Sequence, residues 1–531
     1  MQRLFITYML SLSACLGTVP AISCAAEPMA ASPAEWPTAS PESQGMRSAA
    51  LAALIDNGQG WKLDSLLVAR HGRIVAEAYY APYRAGMPHT VNSVTKSVVG
   101  TLAAIALKNG TIASRDLPVL DLLAGSSPSL SPTPRAANID ERKRSLTLSH
   151  LLDMSSGLDW TEPLDGAPIS MLQMRRSADW VQFVLDRPMR DAPGARFDYN
   201  SGSTHLLSAI LTKQTGRSTL AYAREQLFEP LGITDVIWRQ DPQGIYIGGW
   251  GLYLQPRDMA RIGQLYLQGG VWAGQPLLPA GWIEHINAST TDMRMPGPVP
   301  FRYGNLWWTL PSRQAYMAVG FKAQNIVVLP TLDAVVVTTG RAFVPIPRLI
   351  DAVAAAVAVT VQSADALPED AAGRARLRAS TEAAAVEKPT PAGKVPPIAT
   401  SISGKTFTLA ANPMRASAFK LDLDGAQPRY EIAFEAGTSG AAPPPMTGPL
   451  GLDGLFRTTT TAQGRTLAAK GTWRDEATFV VTLRTLGDSD EFTYALRFDG
   501  DAVEVRFDDS TGYVQVTKGQ AVVPIQPRSP R

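Results

Sequence analysis

From Ser93 to Ala106 the chain carries almost only small or aliphatic residues, with no proline and one interior glycine. Such a run belongs in a core, and it predicts a buried helix with Asn92 as N-cap and Asn109-Gly110 as its stop signal. Whatever fold the chain adopts must be built around this segment. Its one charge, Lys96, stands three residues after Ser93. Three residues make almost one helical turn, so the amine and the hydroxyl share a face and come within reach of each other.

A serine hydroxyl is a weak nucleophile at neutral pH and needs a neighbouring base. Lysine serves only when neutral, which requires lowering its pKa from about 10.4 by roughly three units, a bias of about 4 kcal/mol. The N–H groups at a helix start disfavour a cation and favour an oxyanion, and burial adds to the bias. The same spacing recurs at Ser417-Ala-Phe-Lys420. That copy lies in alternating, strand-like sequence, where residues three apart point to opposite faces, so it is expected to be inert.

Residues 1–26 have the pattern of a signal peptide: one basic residue, an apolar stretch from Leu4 to Gly17 too short to span a bilayer, and Cys24-Ala-Ala26 as a cleavage site. A periplasmic or secreted protein is expected. A competing reading takes Leu12-Ser-Ala-Cys15 as a lipoprotein box and places a lipid anchor on Cys15. Cys15 and Cys24 are the only cysteines, so cleavage after Ala26 would leave no disulfide and no cysteine-based metal site. With 49 basic and 47 acidic residues the formal charge is +2, and no basic stripe marks a nucleic-acid partner. After the leader no apolar segment has the length of a membrane span.

Ser65-Leu-Leu-Val-Ala-Arg70 and Arg73-Ile-Val-Ala-Glu-Ala-Tyr-Tyr80 flank His71-Gly72 and predict a β-hairpin, with His71 as a turn residue. His89, His150, His205 and His285 show no metal-ligand spacing, and none lies in a Gly-x-Ser-x-Gly setting. No metal and no cofactor is expected. Thr147 to Trp160 is predicted to be a helix ended by Gly157 within a wider helical region, with His150 and Trp160 as packing residues. Pro193 to Leu211 presents Tyr199-Asn200-Ser201 in a turn before a helix starting near Ser203.

Ser93-x-x-Lys96 followed by Tyr199-Asn200-Ser201 resembles the serine β-lactamase and penicillin-recognising superfamily, its class C branch in particular. Gly248-Gly-Trp-Gly-Leu-Tyr-Leu-Gln-Pro-Arg-Asp-Met-Ala-Arg-Ile-Gly263 looks like the family's glycine turn and following helix. The resemblance implies an α/β (α+β) fold, with an antiparallel sheet flanked by helices and a helical subdomain. A strand triplet Lys-Thr-Gly or His-x-Gly is matched here by Ala318-Val319-Gly320. Gly320 would admit a substrate close to the backbone, and the N–H of Phe321 would join that of Ser93 as an oxyanion hole. Ala318 cannot recognise a carboxylate as the family's cation does, which argues against efficient β-lactam turnover. The Ala-Val-Gly-Phe-x-Ala-Gln pattern resembles 6-aminohexanoate-dimer hydrolases and related carboxylesterases.

The roles implied are Ser93 as nucleophile, Lys96 or Tyr199 as the base, Tyr199 as proton donor to the leaving group, and Ser201 as a bridge to these groups or to substrate. The expected partner is a small-molecule or short-peptide amide or ester. The alternatives are a β-lactamase or D-Ala-D-Ala peptidase-like enzyme, or a non-hydrolytic envelope protein that binds penicillin or peptidoglycan.

The hydrolase-like domain is expected over 27–362, ending in an apolar helix from Ile346 to Val361. An Ala/Pro-rich linker over 363–402 follows, with a helix around Glu369 to Lys388. Residues 403–531 are expected to form a small antiparallel β-domain: Phe492, Tyr494, Leu496 and Phe498 alternate with polar residues, Asp499-Gly500 turns, and Val503, Val505 and Phe507 alternate again.

Overall fold

The computed structural model describes residues 36–124, 136–164, 168–289, 291–293, 300–341, 346–390, 394–436, 442–462, 464–509 and 511–522. The expected signal peptide and both cysteines lie outside them. The chain forms two compact units that divide between Ala385 and Val386.

In the first unit, α1 (Ser48–Gly60) precedes a hairpin of β1 (Leu63–Arg70) and β2 (Arg73–Tyr79). His71 and Gly72 both have positive φ, 48° and 69°, the conformation that a two-residue hairpin turn demands. Helix α2 (Val94–Lys108) carries the apolar run, and every residue from Val94 to Ala106 is buried. A helical region follows, with α3 (Leu148–Leu152) and α4 (Ser201–Thr215), and then α5 (Pro256–Leu267). Strands β3 (Arg302–Gly304), β4 (Trp307–Leu310), β5 (Ala315–Gly320), β6 (Gln324–Leu329) and β7 (Ala334–Gly340) complete an antiparallel sheet of order β2-β1-β7-β6-β5-β4-β3.

Every residue of β1, β5, β6 and β7 is buried, so helices cover both faces of the central sheet and its strands read as continuous apolar runs rather than alternating ones. Helices α2 and α5 pack on it side by side, joined by a hydrogen bond between Thr101 Oγ1 and Tyr266 Oη of 2.8 Å. Gly263 lets α5 sit on the strands, since a Cβ there would lie 2.5 Å from Val335 Cγ1. Helix α6 (Ile346–Thr360) also packs on β6.

The stretch expected to be a linker contains α7 (Ala371–Ala384), which packs along α1 in the first unit. Asp370 caps it, accepting from the N–H of Gly373 at 2.8 Å, and at its other end the N–H of Ala81 donates to the Ala384 carbonyl at 2.9 Å.

The helix expected from Thr147 to Trp160 is shorter than its sequence suggests. It spans only Leu148–Leu152, because Met154 and Gly157 take positive φ, 52° and 72°, and turn the chain away. His150 closes a capping box with Thr147 there.

Among its described residues the second unit has ten strands: β8 (Thr406–Leu409), β9 (Ala416–Asp422), β10 (Arg429–Phe434), β11 (Met446–Pro449), β12 (Arg457–Thr460), β13 (Thr466–Trp473), β14 (Thr478–Thr485), β15 (Glu491–Asp499), β16 (Ala502–Asp509) and β17 (Val514–Ala521). Their order is β11-β10-β9-β8-β17-β16-β15-β14-β13-β12. Sequence neighbours pair throughout except where β8 meets β17, and the two edge strands approach each other, so the sheet curls into a near-barrel. Phe407, Phe419, Phe479, Tyr494, Leu496 and Phe507 fill its core. Ser417 and Lys420 lie on β9, as the alternating sequence predicts, three apart on a strand rather than one turn apart on a helix.

Candidate active site

Ser93 is the N-cap residue of α2, at φ −72° and ψ −6°. Asn92, expected to cap the helix, instead adopts φ 47°, and its side-chain amide donates to the Phe321 carbonyl at 2.9 Å. The residue before the serine thus fastens the helix start to the end of β5. Gly320 makes this approach feasible: a Cβ at that position would lie 2.4 Å from the Val91 carbonyl oxygen. Ser93 and Phe321 are both part-exposed, so the lip between helix and strand is open to a ligand. Ala318, two residues before Gly320 on the same face of β5, is fully buried.

One turn into α2, Lys96 is 2 % exposed. Its Nζ lies 3.1 Å from Ser93 Oγ, 3.0 Å from Ser201 Oγ and 2.8 Å from the Gly249 carbonyl oxygen. Burial pulls its pKa down from 10.5 to about 8, against the opposing pull of the Glu162 carboxylate. A group of this kind is close to the protonation balance that a general base needs near neutral pH. The Nζ also lies 4.7 Å from the centre of the Tyr199 ring.

Ser201 reaches Lys96 from the first turn of α4. Asn200 caps that helix, its Oδ1 accepting from the N–H of Ser203 at 2.9 Å, which starts the helix at Ser201 and points the Ser201 hydroxyl into the site. Gly249 arrives on the glycine turn. A Cβ on Gly248 would lie 1.9 Å from the Thr204 carbonyl, and one on Gly249 would lie 3.0 Å from Ser201 Cβ, so the turn can rest on α4 only without side chains. A short sheet of His89–Thr90, Leu252–Leu254 and Ile237–Trp238 ties this turn to the segment entering Ser93. Behind it, fully buried His205 holds Asp241 at 3.0 Å through Nε2, and Nδ1 accepts from the Gly248 N–H at 3.5 Å.

The structure therefore brings Ser93, Lys96, Tyr199 and Ser201 together and sets Gly320 and Phe321 beside them. Four contributors were missed in the sequence. Glu162 is 9 % exposed, accepting from Ser201 Oγ at 2.6 Å, from the Ser201 N–H at 2.8 Å and from Trp160 Nε1 at 2.7 Å. Trp160 is buried as expected, but it also donates to this carboxylate. The Gly249 carbonyl is backbone, which leaves no mark beyond the glycine itself. Tyr303, its hydroxyl held protonated by burial and by the nearby Tyr199, is the fourth. The only local signal for Glu162 was an acid two residues after a tryptophan. Lys322 is buried, with Nζ 5.6 Å from the Phe321 ring centre.

Among the described residues no cluster of His, Cys, Asp or Glu could hold a metal ion. No helix among them is long and apolar enough to cross a membrane.

Residues 51–381 match the family described as Beta-lactamase. A 6-aminohexanoate-dimer hydrolase from Paenarthrobacter ureafaciens is 25% identical over 292 residues, which cover 52% of this chain and 71% of that protein. Among solved structures, a putative 6-aminohexanoate-dimer hydrolase from Bacillus anthracis aligns at 20% identity and a TM-score of 0.47, over 66% of this chain and 87% of its own. The hydrolase EstCE1, which has promiscuous acyltransferase activity, aligns at 16% identity and a TM-score of 0.47, over 58% and 99%.

Proposed function

Given that the chain belongs to the β-lactamase family, we propose that it is a serine hydrolase cleaving a linear amide or ester through an acyl-enzyme on Ser93. The observation that carries this reading is the contact of a desolvated lysine amine with a part-exposed serine hydroxyl, 3.1 Å apart at the start of a buried helix.

Ser93 Oγ attacks the substrate carbonyl, and its proton passes to the Lys96–Tyr199 pair. Lys96 is the better placed of the two to receive it, being hydrogen-bonded to Ser93 Oγ. The N–H groups of Ser93 and Phe321 stabilise the oxyanion of the tetrahedral intermediate. Tyr199 protonates the departing amine or alcohol, and water then releases the acyl group by the reverse route. The substrate class rests on two supports: a relative bears the name 6-aminohexanoate-dimer hydrolase, and Ala318 gives this strand no cation for a carboxylate.

The test is labelling with a fluorophosphonate and turnover of a short-chain nitrophenyl ester by the wild type and by Ser93→Ala. The wild type should label and turn over, and Ser93→Ala should do neither. Equal signals from both would remove the hydrolase reading, and labelling without turnover would turn it into a penicillin- or peptidoglycan-binding protein. Lys96→Ala and Tyr199→Phe should each lose about 10²–10⁴-fold in acylation rate, while Ser417→Ala should be silent.

A further inference from the structure

Of the three neighbours of Lys96 Nζ, the Gly249 carbonyl can only accept a hydrogen bond. Ser201 Oγ carries a single proton, and Glu162 decides where that proton goes. Glu162 Oε2 is taken up by two groups that only donate, the Ser201 N–H and Trp160 Nε1–H. Its Oε1 lies 2.6 Å from Ser201 Oγ, and a carboxylate oxygen has nothing to donate. The Ser201 proton therefore points to Glu162, and the lone pairs of that oxygen turn to Lys96.

A neutral lysine amine has two N–H bonds and one lone pair. With Gly249 and Ser201 both accepting, its two N–H bonds are committed, and the lone pair is left for Ser93. We infer that Glu162 is a positioning residue which, acting through Ser201, aims the lone pair of Lys96 at the hydroxyl proton of Ser93. The inference rests on the reading of Ser93 and Lys96 as nucleophile and base. In the step itself the Ser93 O–H bond breaks as its oxygen bonds the carbonyl carbon, and the proton forms the third N–H of Lys96. The resulting ammonium then faces three acceptors with no heavy atom moved.

The same logic states what Glu162→Gln does. Two N–H donors hold the amide oxygen at the Oε2 position, so the amide NH2 must face Ser201 Oγ. That donor turns the Ser201 proton onto Lys96, where it occupies the lone pair. Glu162→Gln should therefore lose about 10²-fold in kcat/KM for a nitrophenyl ester, the scale of a lost general base. Adding Ser201→Ala removes the intruding proton, and the double variant should recover at least about tenfold over Glu162→Gln alone. The titratable groups facing Lys96 are Glu162 and Tyr199, so loss of the Glu162 charge should also move the acid limb of the pH profile to lower pH.

A residue with a packing role alone predicts the reverse: Ser201→Ala would deepen the loss, and the acid limb would stay in place. Unchanged kcat/KM in Glu162→Gln, or a double variant poorer than the single one, overturns the inference. If Glu162→Gln does not fold by thermal melting, Glu162→Asp keeps the charge while withdrawing the 2.6 Å contact. It should lose activity at an unmoved acid limb and be rescued by Ser201→Ala, and failure of that rescue has the same force. Fluorophosphonate labelling separates the two levels: if Ser93→Ala labels like the wild type, the nucleophile assignment fails, whereas labelling confined to Ser93 with an unimpaired Glu162→Gln removes Glu162 alone.

Discussion

At Lys96, catalytic use and stability pull in opposite directions. Burial lowers its pKa to about 8, so the fold holds a group that the unfolded chain would keep charged up to about 10.5. Below pH 8 the native state carries the full penalty of that charge. Between 8 and 10.5 the unfolded chain binds a proton that the native protein does not, so this group makes stability rise with pH in that window. Comparing wild type with Lys96→Met by thermal melting at pH 7 and pH 10 should show the difference shifting in favour of the wild type at the higher pH. Activity should follow the same group: kcat/KM is expected to fall tenfold per unit as pH drops below about 8, since only the neutral amine takes a proton. A pH-independent kcat/KM between 6 and 9 would remove Lys96 from that role.

Residues at this scale were readable from the sequence where one face of one helix held them. Ser93 and Lys96 needed only the helical period, whereas Glu162 needed the tertiary fold. It meets Ser201 from a loop thirty-nine positions away, where no periodicity links them. Asn92 was misread for a related reason. Its type suits a cap, but its side chain is claimed by the Phe321 carbonyl across the site.

At the scale of elements, the site depends on how close β5 comes to the start of α2. Gly320→Ala would drive a methyl against the Val91 carbonyl at 2.4 Å and wedge strand and helix apart. A displacement near 1 Å is enough for about a 10²-fold loss in kcat/KM, and overpacking of this kind costs about 1–3 kcal/mol. Wild-type kcat/KM in that variant would mean that strand and helix need not touch. The elements themselves were largely foreseeable: the hairpin at His71-Gly72, the buried helix and the alternation of β15 and β16. Helix α3 was overestimated because local apolar content favours a helix past Asp153, and the positive φ at Met154 that ends it falls on a residue type giving no warning.

For the whole molecule, the question is where the first unit ends. Composition places the change at residue 363, yet the Ser363 N–H donates to the Gly45 carbonyl at 3.3 Å, the Leu367 N–H to the Glu42 carbonyl at 2.8 Å, and α7 lies along α1. A chain cut after Ala385 should keep fluorophosphonate labelling and the melting temperature of this unit. One cut after residue 362 exposes the side of α1 that α7 covers and should melt lower or aggregate. The Ala- and Arg-rich composition of α7 resembles that of a tether, and only its docking on α1 distinguishes it from one.

Among the described residues, the first strand of each unit's large sheet finds its partner in the last. β1 pairs with β7, and β8 with β17. Neither sheet can close until its final strand has left the ribosome, and closing such long loops is slow compared with local pairing. Ser93 is translated early but acquires its neighbour at Gly320 only near the end of its own unit. A nascent chain stalled before β5 would be chemically silent, so the capacity to acylate is a late acquisition of synthesis.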